Sequence, residues 1–92
     1  NAQENTSNTI IIRVTETPHK GDSRILTVDM EGMINIIELE KGWKDELGNN
    51  AILIQKEIVK WKQKGYKITH LSTSGASVGD PPVFRTTIIL EK

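Results

Sequence analysis

One stretch of this chain repeats its apolar residues at helical spacing, and runs that read as strands flank it on both sides. Leu47, Ala51, Ile54, Ile58 and Trp61 recur at intervals of four, three, four and three, which at 100° per residue puts them on one helix face. Ile52 and Val59 lie to the side of that stripe and widen it beyond the ~100° needed to cover a core. A polar link from Glu40 to Gly48 precedes the helix, Asn49 and Asn50 can cap its start, and Gly65 can end it. Lys60, Lys62 and Lys64 complement the negative end of its dipole.

The flanking runs are rich in β-branched residues, which are stiff in helices and pack well on a pleated surface. Thr9 to Thr15 forms a first strand, closed by a turn over Pro18 to Asp22. Arg24 to Met30 and Met33 to Leu39 form a hairpin about a two-residue Glu31-Gly32 turn. Beyond the helix, Tyr66 to Ser72 and Val83 to Glu91 read as strands joined by a ten-residue loop, Thr73 to Pro82. The order β-β-β-α-β-β predicts an α+β two-layer sandwich, one helix on a four- to five-stranded, mainly antiparallel sheet. With 92 residues the chain suits one domain, residues 9–92, and residues 1–8, which have no apolar side chain larger than alanine, are expected to be a disordered tail.

Composition narrows the function classes. There is no cysteine, hence no disulfide, thiol nucleophile or thiolate metal site, and two distant histidines offer little to a transition metal. The acidic residues Asp29, Glu31, Glu38, Glu40, Asp45 and Glu46 lack the alternating pattern with central glycine of a calcium loop, so no cofactor or metal is expected. Twelve basic against twelve acidic side chains argue against nucleic acid, whose binding draws on counterion release, and the apolar runs are too short for membrane insertion. The Asn-Ala-Gln start is expected to be the junction left by a removed signal peptide, implying an exported protein of the periplasm or cell envelope.

Two groups of residues are candidate sites. His70, Ser72, Ser74, Ser77 and Asp80 gather hydroxyls, an imidazole and a carboxylate around the Ser72 to Pro82 loop, the pattern of a small-ligand or enzyme site, although no nucleophile elbow or phosphate-loop lysine accompanies them. Lys56, Lys60 and Lys64 stand four apart on the helix, where like charges cost about 0.2–0.5 kcal/mol per pair unless something offsets them. With Ile52, Val59 and Trp43 they make a candidate protein interface.

From Ile54 to Lys92 the helix, the Lys64-Gly65-Tyr66-Lys67-Ile68 step, the Ser/Gly-rich loop and the closing Thr86-Thr87-Ile88-Ile89-Leu90-Glu91-Lys92 run resemble small exported bacterial domains of unknown function. The resemblance covers under half of the chain and implies no catalytic residue.

Ile10, Ile12 and Val14 point to one sheet face and Ile11 to the other, while Ile36 opposes Ile37 and Leu39. One helix covers one face, so the expectation is a noncatalytic binding or assembly module that self-associates, with a homodimer the commonest arrangement. Two alternatives stand beside it, a ligand binder or enzyme using the 72–82 loop and an inhibitor or immunity-type protein acting on a protein partner through its acidic half. Through Glu46 the chain balances to −4 and after it to +4, so self-association is expected to respond to salt.

Overall fold

The computed structural model describes residues 8–17, 22–42, 44–76 and 83–92. Its elements are β1 (Thr9–Glu16), β2 (Arg24–Val28), β3 (Ile34–Glu38), α1 (Asp45–Lys62), β4 (Lys67–Ala76) and β5 (Val83–Glu91). The strands form one sheet of order β3-β2-β1-β5-β4 in which every neighbouring pair is antiparallel. This is the expected α+β fold with the expected element order. The most β-branched strand, β1, takes the centre, where both edges are paired and the side chains can pack on both faces.

Alternation along the three central strands builds the core. Ile10, Ile12 and Val14 from β1, Ile25 from β2 and Ile88 and Leu90 from β5 are buried, together with Leu39, Trp61 and Tyr66. Complete burial of such a side chain contributes about 1.5–3 kcal/mol, so these strands and the helix end dominate the stability. Buried polar groups close the gaps. The Thr17 N–H donates to the Ser23 hydroxyl oxygen at 2.9 Å and the Asp22 N–H to the Thr17 hydroxyl oxygen at 3.0 Å, which ties the end of β1 to the start of β2. Of the expected turn there, residues 18–21 lie outside the described residues.

Several boundaries differ from those read in the sequence. The helix begins at Asp45 without a side-chain cap, and the acidic pair Asp45 and Glu46 stands against the positive pole of its dipole. Asn50 is no cap: it sits inside the helix, 1% exposed, accepting from the Glu40 N–H and donating to the Glu40 carbonyl, each at 2.8 Å. One amide thus supplies the backbone pairing that Glu40 loses where the sheet ends. The β2–β3 connection is a three-residue loop, Met30-Glu31-Gly32, and not a two-residue turn. Asp29 shapes it, its carboxylate accepting the N–H groups of Glu31 and Met33, while Gly32 takes φ 81°. Strand β4 runs on to Ala76 because Val83 to Thr86 supply a pairing edge for residues expected to be loop. The rest of that loop, 77–82, lies outside the described residues.

The helix ends as expected at a glycine. The Tyr66 N–H donates to the Trp61 carbonyl at 3.2 Å and the Gly65 N–H to the Lys62 carbonyl at 3.0 Å, with Gly65 at φ 98°, the pattern of a Schellman motif. Its accompanying apolar contact is aromatic: Trp61 and Tyr66 meet edge to face, with centroids 5.8 Å apart.

Candidate interaction surface

The layer between helix and sheet contains an unanticipated polar centre. Asn50, Glu57 and Trp61 fall seven and four residues apart, so they share one helix face, and all three are buried. The apolar stripe read from the sequence is therefore rotated. Trp61 is buried, Leu47, Ile54 and Ile58 are half-buried, and Ala51 is exposed. Glu57, 4% exposed, accepts at Oε2 from the Thr27 hydroxyl of β2 at 2.9 Å and from the Trp61 indole N–H at 3.1 Å, while Oε1 meets Lys60 Nζ at 3.4 Å. Among the described residues each buried side-chain donor has a partner, the condition under which a polar group can remain in a core. The i to i+4 spacing of Glu57 and Trp61 is the signal in the sequence that could have revealed it.

This network also accounts for the lysine row. Lys60 and Lys64 lie 5.0 and 4.8 Å from the Trp61 ring centroid, so an electron-rich indole face and the Glu57 carboxylate offset their repulsion. Lys92 stands 5.3 Å from the Tyr66 ring. Lys56 is exposed and one turn further back.

Ile52 and Val59 are not at the side of the core stripe. Val59 is 200° around the helix from Glu57, and Ile52 is 200° from Asn50, so both project away from the sheet, Ile52 50% and Val59 40% exposed. They are two single apolar residues in a polar helix surface, separated by two turns. Trp43 lies outside the described residues, as do Ser77 and Asp80.

His70, Ser72 and Ser74 are brought into one exposed row. They occupy alternate positions of the edge strand β4, opposite Ile89, Thr87 and Arg85 of β5. A register shift between Ile68 and His70 sets this phase; without it the three side chains would point to the helix side. No pocket opens among the described residues.

What the strand register does assemble is the sheet face opposite the helix. Residues that alternate with the core positions line it in cross-strand rows. The first row is Ile34, Val28, Ile11, Ile89 and His70, crossing all five strands. The second is Ile36, Leu26, Arg13, Thr87 and Ser72; the third is Glu38, Arg24, Thr15, Arg85 and Ser74. Glu91 and Lys67 stand opposite each other beyond the first row. Ile34 and Ile36 are 63% and 50% exposed and Ile11, Leu26, Val28 and Ile89 are half-buried, so the β3-β2-β1 side of the face is a contiguous apolar patch. No described element covers it. The described residues contain no helix long and apolar enough to cross a membrane and no cluster able to hold a metal ion.

No protein-family model, curated protein or solved structure matches the chain.

Proposed function

We propose that this protein is a noncatalytic binding or assembly module that self-associates, the open face of its sheet packing on that of a second copy. The observation that carries this reading is the apolar patch of Ile34, Ile36, Leu26, Val28, Ile11 and Ile89 on the face that α1 leaves bare. A sheet with apolar residues on both faces gains by covering both, and a second sheet at about 10 Å is the standard cover. The size also fits. With strands about 4.8 Å apart and about 3.4 Å per residue, the face projects to roughly 600 Å², so two copies would bury roughly 1,200 Å², the lower end of stable interfaces.

Sedimentation velocity over a concentration series tests the reading. Wild-type protein is expected to pass from monomer to dimer, and the double substitution Ile34→Lys/Ile36→Lys to remain monomeric with an unchanged circular dichroism spectrum. Both residues are exposed, so their replacement leaves the core intact. A wild-type chain that stays monomeric at its highest soluble concentration sinks the proposal.

A further inference from the structure

The register fixes how two such faces can meet. Resting on the self-association proposed above, we infer that the two copies stack about a two-fold axis perpendicular to the strands, crossing β1 near Ile12, and that Arg85 of each copy pairs with Glu91 of the other. Two-fold stacking of a sheet on itself has two simple forms, an axis parallel to the strands and an axis perpendicular to them in the sheet plane. Centred on β1, where the two faces overlap most, they bring different residues together, and the rows of this face suit only one.

With the axis parallel to the strands, β1 lies over β1 of the other copy, β2 over β5 and β3 over β4, each row meeting itself reversed. Ile34 then covers His70 and Ile36 covers Ser72, so the most exposed apolar side chains land on polar ones. Arg13 meets Arg13 at the axis and Arg24 meets Arg85 on either side of it, so like charges face each other at three points of the closing interface.

With the axis perpendicular and passing between the first and second rows, each strand lies over its own copy, antiparallel. Ile34 covers Ile36, Val28 covers Leu26, and Ile11 meets the aliphatic stem of Arg13. On β5 the axis falls at Ile88, so Arg85 and Glu91, each three residues away on either side, come face to face twice by symmetry. Both are exposed on this face and long enough to meet across it. The crossing point at Ile12 is close to the midpoint of β1, so overlap of the two faces is near its greatest. The segregation of acidic residues toward β3 favours the parallel form. Those rim charges are solvated and screened within about 8 Å at physiological salt, whereas the face charges are brought into contact.

Charge reversal separates the two forms by the sign of its effect, read as the dimer dissociation constant by sedimentation equilibrium. Arg85→Glu is expected to weaken the dimer about tenfold, because Glu91 would then face another carboxylate in both symmetry-related contacts. Glu91→Arg is expected to weaken it similarly. The double variant Arg85→Glu/Glu91→Arg is expected to return to within about threefold of wild type, and about 1 M salt to narrow the spread among all four proteins. A dimer that tightens on Arg85→Glu overturns the inference in favour of the parallel form, in which the introduced carboxylate would meet Arg24. A dimer unmoved by either single reversal, or not restored by the double one, also overturns it while leaving self-association standing. Circular dichroism of each variant confirms that the monomer fold is retained.

Discussion

Removing the carboxylate of Glu57 tests the buried network directly. In Glu57→Ala the Thr27 hydroxyl and the Trp61 indole N–H, both in the closed layer between helix and sheet, lose their acceptor. Leaving a buried donor unpaired costs about 1–3 kcal/mol, so the two together with the lost side-chain packing give about 3–5 kcal/mol. The Lys60 ion pair adds little, since that ammonium is 43% exposed and water screens it. Glu57→Gln keeps an oxygen for both donors and is expected to cost only about 1 kcal/mol. Urea denaturation at one protein concentration measures both. With a slope of about 1 kcal/mol per M, the alanine variant's midpoint falls by about 3–5 M or the protein is unfolded outright, and the glutamine variant's falls by about 1 M. Thr27→Val in the alanine and wild-type backgrounds then reports the coupling, expected at about 1–3 kcal/mol for a hydrogen bond to a carboxylate. Equal losses for Ala and Gln, or an alanine variant within about 0.5 kcal/mol of wild type, would refute the role of Glu57 as acceptor for both donors.

Other substitutions probe the remaining devices. Asn50→Ala removes both hydrogen bonds to the Glu40 main chain and is expected to destabilise by about 2–4 kcal/mol in the same denaturation assay; Asn50→Asp, which keeps only the acceptor, also loses stability. Gly65→Ala forces a side chain into φ 98° and is expected to lower stability by about 1–2 kcal/mol, read as a lower melting temperature. Ile52→Glu/Val59→Glu alters only the outer helix surface, so stability should move by less than about 0.5 kcal/mol and sedimentation should not change. A monomeric double variant would instead place the interface on the helix and contradict the sheet-face reading.

Much of the architecture is legible in local chemistry. The β-branched run at Ile10 to Val14 can be little other than a strand, the four-three spacing ending at Trp61 can be little other than a helix, and Gly65 can terminate that helix because it alone avoids the steric cost of a left-handed residue. The apolar second face is legible too, in the opposition of Ile11 to Ile10 and Ile12. The rotation of the helix about its axis is not. Five apolar residues define a broad sector, and the buried direction within it depends on Thr27 across the gap, which gives Glu57 a donor and lets a carboxylate outrank Ala51 for burial. Asn50 is legible as a cap by residue type and becomes a buried brace only because Glu40, ten residues earlier, lies beside it just past the end of β3.

Side-chain shape and the periods of 2 and 3.6 residues are enough to say which segments are strands, which is the helix, and that the sheet carries apolar residues on both sides. The strand order β3-β2-β1-β5-β4 and the pairing register arise only when distant segments meet in the assembled fold. They set which residues share a row, joining Ile34, Val28, Ile11 and Ile89 into one patch and placing Arg85 and Glu91 on the same face, three residues to either side of Ile88. Periodicity assigns each residue a face; only the long-range hydrogen bonds between strands assign it neighbours.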